Sequence, residues 1–287
     1  METINLEFLN SKDPHQLATL ADEFSKKTLD DKLQALKIYN FIIETNKIPN
    51  IYKHPYSLNR GIINHKIFGL EKFFHWNEYF NSQSGQDKFI NNFFFRGKEK
   101  GFFVEIGAYD GLTGSNCFFF EKHLGWNGIA IEPSFNQFSK LEKNRNCNCI
   151  NKALSTKIEQ KEFIDVVQGY TQMSGLNNSS YKKTLDKITK DFRTKIERKT
   201  IETTTFSKAV NQNYLIDYLS IDVEGGEQDI LDSIDFNLYK IKVISIENNN
   251  PPDTEYNSYL SNKGFKYIDN VGVDEIYVNK SFFGDIV

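Results

Sequence analysis

Residues 102–114, FFVEIGAYDGLTG, combine an apolar run with the acids Glu105 and Asp110 and with Gly107 between them. The run is typical of a buried β-strand, and the glycine lets the backbone turn sharply and approach a ligand closely. The spacing departs from the G-x-G-x-x-G pattern of dinucleotide sites, because Tyr109 occupies the position of the second glycine. The stretch therefore predicts a ligand-binding turn, without pointing automatically to a dinucleotide.

Acids end the other strand-like runs as well: Glu132, Asp222 with Glu224, and Glu247 followed by Asn248. In an open parallel sheet these carboxyl ends meet at one edge, where ligands bind. Each acid taken singly could instead cap a helix N-terminus. Together they favour a cationic ligand, since they would repel a pyrophosphate but attract an ammonium or a sulfonium, and S-adenosylmethionine carries both. Glu132, 25 positions after Gly107, is placed to accept hydrogen bonds from two ribose hydroxyls.

The elements that position these residues alternate between short β-rich runs and helical segments, which indicates βαβ units and a parallel sheet. The runs are 102–106, 128–132, 148–152, 218–223 and 242–247. Two further runs, 264–268 and 274–278, are joined too closely for a crossover helix, so they should pair antiparallel. Apolar spacing in residues 14–46 predicts two amphipathic helices, and the aromatic-rich residues 47–80 are interpreted as irregular chain.

Composition excludes several classes of protein. A chain of 287 residues with 39% hydrophobic content can form a proper core, and its net charge of −3 gives no general attraction to nucleic acid. No apolar run reaches the length of a membrane span, and the first residues lack the features of a signal peptide, so we expect a cytoplasmic protein. Three cysteines are too few for a disulfide framework, which agrees with that expectation.

The motifs, taken in order, resemble the FkbM family of S-adenosylmethionine-dependent methyltransferases. The matching stretches are SQSGQDKFI (82–90), GFFVEIGAYDGLTGSNCFFFEKHLGWNGIAIEPS (101–134), NKALS (151–155), YLSIDVEGGEQDIL (218–231) and VISIENN (243–249). The resemblance implies a Rossmann-like class I methyltransferase fold over residues 81–287, with an N-terminal helical extension over residues 1–80. Tyr109 departs from the smaller or polar residue expected at its position.

The resemblance also implies roles for individual residues in binding S-adenosylmethionine. Those expected at the cofactor are Gln86, Glu105, Gly107, Ala108, Asp110, Glu132, Pro133, Ala153, Leu154, Ser155 and Asp222. Glu105, Gly107 and Asp110 would lie against the methionine part. Glu132 would bind the ribose, the residues from Ala153 to Ser155 would border the adenine, and Asp222 would sit beside the methyl group. Gln86 belongs to a segment that either folds over the cofactor or begins a helix.

FkbM enzymes imply O-methylation of a hydroxyl on a sugar, a glycan or a glycosylated natural product. Asp222 and Glu224 are the candidate bases for that hydroxyl, and Glu227 is the third. Three alternatives stay open: a methyltransferase for a non-sugar natural product, a nicotinamide-dependent oxidoreductase on the same fold, and a non-catalytic binding module. The acids Glu105 and Asp110 argue against a nicotinamide cofactor, whose phosphates prefer a turn without acids.

Two further predictions concern a metal and a lid. Asp222, Glu247 and Asn248 would meet if the fourth and fifth strands are neighbours, and such oxygen ligands suit Mg²⁺, although Glu247 and Asn248 could equally hydrogen-bond loops or the acceptor. Residues 181–200 carry eight Lys or Arg against three acids, which predicts either a solvated charged helix or a lid that attracts an anionic glycan or phosphorylated carrier. The small residues of 174–178 before them are typical of a mobile loop.

Overall fold

The computed structural model describes residues 6–44, 79–211, 215–249 and 256–283 of the chain. Its strands are β1 (Phe102–Ile106), β2 (Asn127–Ile131), β3 (Asn148–Ile150), β4 (Ala153–Leu154), β5 (Gln160–Gln168), β6 (Gly175–Leu176), β7 (Lys195–Thr204), β8 (Leu215–Ile221), β9 (Lys240–Glu247), β10 (Phe265–Val271) and β11 (Asp274–Asn279). Its α-helices are Leu6–Asn10, Pro14–Phe24, Leu29–Glu44, Gln86–Ile90, Phe118–Leu124, Phe135–Asn144, Lys182–Ile188, Phe206–Ala209, Glu227–Asp232, Tyr256–Ser261 and Lys280–Phe283.

The described strands build a seven-stranded sheet in the order β10-β11-β9-β8-β1-β2-β3. The five strands from β9 to β3 in that order are parallel, while β11 is antiparallel to both β9 and β10. The expected Rossmann-like α/β fold, with a mostly parallel sheet that ends in an antiparallel hairpin, is confirmed. The strands are apolar and buried because helices cover them.

The order of the strands reverses at β1. From β1 the chain proceeds outward through β2 and β3, then returns to place β8 on the other side of β1. Such a switch point opens a crevice at the carboxyl ends of the two central strands, which is where ligands bind in open α/β sheets. Asp222 is held there because its backbone N–H continues the ladder to the Ile106 carbonyl at 2.9 Å.

A second sheet, in the order β4-β7-β5-β6, lies between β3 and β8 in the chain. It corrects the interpretation of residues 181–200 as one charged helix: the helix covers Lys182–Ile188 only, turns follow over residues 189–194, and β7 begins at Lys195. In β7 most exposed residues alternate with half-buried ones, as in a strand with one covered face. Its pairing with β5 is stabilised by ion pairs such as that of Lys199 with Asp165, at 2.7 Å. Residues 174–178, expected to be a mobile loop, contribute the short strand β6.

The two helices expected in residues 14–46 are present as Pro14–Phe24 and Leu29–Glu44. They share an apolar cluster that includes Leu17, Ala21 and Tyr39. The interpretation of residues 47–80 as irregular chain falls almost wholly outside the described residues. Among the helices that are described, none combines the length and the apolar character that crossing a bilayer requires.

Candidate functional site

A cavity of about 720 Å³ opens at the carboxyl ends of β1, β2, β8 and β9, with the second sheet forming its other wall. This volume lies in the range of small-molecule sites. Most of the residues proposed from the sequence line it: Glu105, Gly107, Ala108, Glu132, Pro133, Ala153, Leu154, Asp222, Glu224 and Glu247. The fold therefore brings together residues that lie as far as 142 positions apart, from 105 to 247.

Gln86, Asp110, Ser155, Glu227 and Asn248 were also proposed from the sequence, but they do not line the cavity. Asp110 accepts hydrogen bonds from the backbone N–H groups of Leu112 and Thr113, at 3.0 and 2.7 Å. Glu227 Oε1 accepts from the backbone N–H of Gly225 at 2.9 Å. Both carboxylates therefore hold loops beside the site.

The other three have partners of a similar kind. Gln86 Oε1 accepts from the Ser84 backbone N–H at 2.9 Å, and the Ser155 hydroxyl accepts from Lys161 Nζ at the same distance. Asn248 Nδ2 donates to Glu275 Oε1 at 2.7 Å. The described structure also places Glu224 beside Asp222 and Glu247, the two carboxylates of the predicted metal site.

Gly107 allows β1 and β8 to end against each other. Its φ is +86°, and a Cβ at this position would lie 1.6 Å from the backbone oxygen of Asp222. No side chain can occupy that space, so glycine is required by contact as well as by conformation. Two residues later Tyr109 also has a positive φ, of 50°, and its backbone N–H donates to Glu132 Oε2 at 2.9 Å.

Glu105 does not present a free charge, contrary to the expectation that it attracts the cationic part of a ligand. Arg145 Nη1 donates to Glu105 Oε2 at 2.7 Å, and Ser115 Oγ donates to Glu105 Oε1 at the same distance. Arg145 is buried and also pairs with Glu121 at 2.6 Å. The sequence contained no signal for this pairing, because Arg145 lies 40 positions from Glu105 at the end of another helix. Glu105 therefore stabilises the turn through a buried ion pair.

Glu132 holds two segments and keeps room for a ligand. Its Oε2 accepts from the Tyr109 N–H, and its Oε1 accepts from the Ser134 N–H at 2.8 Å. A carboxylate has about four acceptor positions, so two remain for hydroxyl groups in the cavity. Burial raises the pKa of Glu132 to about 8, since the two N–H donors only partly offset the loss of solvation.

Asp222, Glu224 and Glu247 form a carboxylate trio, in which one oxygen of each lies within 4.8 Å of the others. Burial is the main cause that raises the pKa of each of the three, and repulsion from neighbouring acids adds to it, Glu227 being the largest of these for Asp222. None of them forms an ion pair with a residue that the structure describes. Glu224 Oε2 is buried and has no hydrogen-bond partner among the described residues, and Glu224 has a φ of 59°. An unpartnered buried oxygen on a strained residue indicates a place prepared for a ligand.

Several residues of the cavity were not proposed from the sequence. Asn116 is the most informative: its Nδ2 donates to Ser220 Oγ at 3.0 Å, while its buried Oδ1 has no partner in the described part of the chain. The hydroxyl of Thr171, in the 3₁₀ turn that connects β5 to β6, lies 2.6 Å from that of Tyr109, which joins the two walls. The order SN after the glycine turn could have drawn attention to Asn116, whereas the contact of Thr171 depends on a sheet that the sequence analysis did not predict.

A family model described as "Methyltransferase FkbM domain" matches residues 105–267, more than half of the chain. Among solved structures, the methyltransferase FkbM from Methylobacillus flagellatus KT is similar at 10% identity and a TM-score of 0.41, over 78% of this chain and 54% of that one. This chain thus spans about half the length of that protein.

Two further solved structures are similar. The N-terminal domain of human METTL16 aligns at 12% identity and a TM-score of 0.33, over 97% of this chain and 96% of that one. A mutant of MtNAS in complex with S-adenosylmethionine aligns at 10% identity and a TM-score of 0.30, over 96% and 99%. No curated protein matches the chain.

Proposed function

The chain belongs to the FkbM methyltransferase family, and from this premise we propose that it transfers the methyl group of S-adenosylmethionine to a hydroxyl of a sugar or glycan. The observation that carries the proposal is the trio of partly buried carboxylates at the switch point of the sheet, none of which forms an ion pair with a described residue. Such a site is stabilised by a cationic ligand and disfavours the pyrophosphate of a nicotinamide cofactor.

The cavity suits S-adenosylmethionine at its adenosine end. Glu132 keeps two acceptor positions for the ribose hydroxyls, and Ala153, Leu154 and Phe163 supply an apolar wall for the adenine. Pro133 and Ala108 border the same region. The cofactor supplies a methyl group activated by a sulfonium charge.

The methionine end has polar atoms that lack partners. Asn116 Oδ1 is buried and no described residue hydrogen-bonds to it, so it suits the cofactor's ammonium group, which needs acceptors. Asp222, at the end of β8, favours positive charge nearby. Glu105 contributes by holding the turn in place rather than by its own charge, because Arg145 neutralises it.

Methyl transfer requires the acceptor oxygen, the methyl carbon and the sulfur to lie on one line, so positioning supplies much of the rate. Proton removal from the hydroxyl adds about 10²- to 10⁴-fold. Glu224 suits that task, because it lines the cavity, its buried Oε2 has no hydrogen-bond partner among the described residues, and burial raises its pKa to about 8. Glu227 is a weaker candidate, since its carboxylate holds the turn at residues 223–225.

A divalent cation offers a second way to activate the hydroxyl. Three carboxylate oxygens within 4.8 Å of one another match the hard oxygen ligands that Mg²⁺ prefers. Bound there, the ion would lower the pKa of the acceptor hydroxyl. Chelation distinguishes the two mechanisms. Full activity in excess EDTA assigns proton removal to Glu224, whereas loss of activity that Mg²⁺ or Mn²⁺ restores assigns it to the metal.

The proposed activity is tested by transfer of labelled methyl from S-adenosylmethionine to a panel of monosaccharides, nucleotide sugars, oligosaccharides and non-sugar hydroxyl compounds. Calorimetric titration with S-adenosylhomocysteine and with NAD accompanies it. We expect S-adenosylhomocysteine to bind and label to enter a saccharide. Tight binding of NAD without binding of S-adenosylhomocysteine would contradict the proposal. Label that enters only non-sugar compounds would show that the acceptor is not a sugar or glycan.

Glu224→Gln tests the reacting end, with Gln228→Glu as the matched control because it changes charge on the neighbouring exposed helix surface. Loss of transfer with normal S-adenosylhomocysteine binding is expected only for Glu224→Gln.

We also propose that the methyltransferase domain covers residues 81–287 and that residues 1–80 are an appended helical segment. A truncated chain that begins at residue 81 and still binds S-adenosylhomocysteine would support this boundary, and an insoluble one would contradict it.

A further inference from the structure

A second groove, of about 500 Å³, adjoins the candidate site; we call it the lid groove. It lies between the 3₁₀ turn Thr171–Met173 and the segment after the helix Lys182–Ile188. Its main lining residues are Tyr170, Met173, Lys187, Lys190, Phe192 and Arg193. Met173 lines the site cavity as well, so a ligand could extend from one into the other.

The lid groove carries positive charge on a protein whose net charge is −3. Arg193 is neutralised by Asp191, with Nε to Oδ1 at 3.0 Å and Nη2 to Oδ2 at 2.6 Å. Lys187 and Lys190 form no ion pair with any residue in the described part of the chain. Lys187 also lowers the pKa of Glu224 somewhat against the larger effect of burial, which indicates that its charge reaches the reacting end of the cavity. Two cations are therefore left for a ligand.

The groove also presents aromatic surface. Phe192 is 95% exposed and Tyr170 is 40% exposed, both on its rim. Together the two rings form an exposed apolar patch with charged residues beside it, and patches of this kind mark ligand-binding grooves. The C–H face of a sugar ring packs well on such a ring, while the hydroxyls stay in water.

We propose that the lid groove binds an anionic group of the acceptor, a carboxylate or a phosphate, through Lys187 and Lys190, while Phe192 packs against a sugar ring. This inference rests on the proposed function and narrows its acceptor to an anionic saccharide. A groove of this size suits one ring and one anionic group better than an extended nucleic acid strand.

The test is calorimetric titration of protein saturated with S-adenosylhomocysteine, using glucose, glucuronate and glucose 6-phosphate as matched probes. We expect at least one anionic sugar to bind about five- to tenfold more tightly than glucose at low salt, as one or two partly exposed charge pairs allow. Comparison of glucuronate with glucose 6-phosphate shows which anion is preferred. The preference should weaken as salt is added.

Variants identify the residues responsible. Lys187→Gln with Lys190→Gln should abolish the preference for the anion, whereas Lys182→Gln, an exposed lysine of the same helix outside the groove, should preserve it. Phe192→Ala should weaken the binding of neutral and anionic sugars equally. Absence of any preference for an anionic sugar, a preference that survives the double variant, or tighter binding of a single-stranded oligonucleotide would overturn the inference.

The two proposals fail in different ways. If label enters neutral saccharides and the lysine variants do not change that transfer, the lid-groove proposal is wrong and the proposed methyltransferase activity stands. If anions bind through the two lysines but label enters no saccharide, the groove binds anions and the saccharide acceptor of the proposed function is wrong. S-adenosylhomocysteine affinity should be normal in every groove variant, because none of these residues touches Glu132 or Asn116.

Discussion

Glu132→Gln is the sharpest test of the cofactor site, because the structure separates its effects on folding and on binding. Both carboxylate oxygens accept backbone N–H groups, from Tyr109 at 2.9 Å and from Ser134 at 2.8 Å. Glutamine keeps one acceptor oxygen and turns an NH₂ group toward the other N–H. One buried donor is left without a partner, which costs about 1–3 kcal/mol in the free energy of unfolding.

The effect on binding is separate. The carboxylate of Glu132 would accept a charge-assisted hydrogen bond from each ribose hydroxyl, and the amide can keep only one. Loss of one such bond costs about 1.5–3 kcal/mol, which weakens the binding of S-adenosylhomocysteine roughly ten- to hundredfold. Glu132→Ala would be less informative, since it strands both backbone N–H groups and mixes a folding defect with the binding defect.

The pH dependence gives a second readout. Burial raises the pKa of Glu132 in the free protein to about 8 from an ordinary value of 4.5, while the ribose hydroxyls favour its ionised form. The affinity of the wild-type protein for S-adenosylhomocysteine should therefore rise with pH up to about 8 and then level off. The stability that proton binding by Glu132 gives to the free protein is complete below pH 4.5 and is lost as pH rises through about 8. Glu132→Gln should lack both dependences.

The assays are calorimetric titration with S-adenosylhomocysteine at several pH values and urea unfolding of the free protein. Glu142→Gln, an exposed position on the following helix, is the matched control and should leave both measurements unchanged. A folded Glu132→Gln protein with unchanged affinity would refute the ribose role. A weaker affinity that shows the same pH profile as the wild type would refute the assignment of that profile to Glu132.

Two further predictions concern the walls of the cavity. Gly107→Ala should lower the free energy of unfolding by at least about 3 kcal/mol or prevent folding, because the new Cβ meets the Asp222 backbone oxygen. Gly85→Ala is the control: this glycine has a similar φ, but no described atom lies within 4 Å of the added Cβ. In urea unfolding the control should cost only about 1–2 kcal/mol. A similar loss for both variants would contradict the steric argument. Tyr109→Phe removes the hydroxyl pair with Thr171 and should cost about 0.5–1.5 kcal/mol in stability. A double-mutant cycle with Thr171→Val measures that coupling, and a coupling of zero would show that the pair contributes nothing.

The fold and most of the cavity could be predicted because they depend on local pattern. Apolar runs of strand length alternating with helical segments predicted every strand of the main sheet, and the short link between the last two runs predicted their antiparallel pairing. The carboxyl ends of parallel strands lie at one edge of the sheet, so the residues that end those runs, such as Glu132 and Asp222, had to lie at the same edge. The periodicity of buried strands carries this information directly.

The second sheet could not be predicted in this way. Strand β7 is rich in charged residues, which in isolation are typical of a solvated helix. It becomes a strand because its partner β5 supplies hydrogen bonds and opposite charges, as between Lys199 and Asp165. Local propensity is weaker than such pairing, so only the tertiary structure decided the outcome.

The charge of the site was likewise decided in three dimensions. By sequence, Glu105 and Glu224 are equivalent acids beside glycines at strand ends. In the fold Arg145, from a distant helix, neutralises Glu105, while Glu224 keeps a buried oxygen that no described residue pairs with, beside two other carboxylates. The energy of a charge depends on its neighbours within a few ångströms and on its distance from water. The sequence determines which acids stand at the sheet edge, and only the tertiary structure determines which of them are left to meet a ligand.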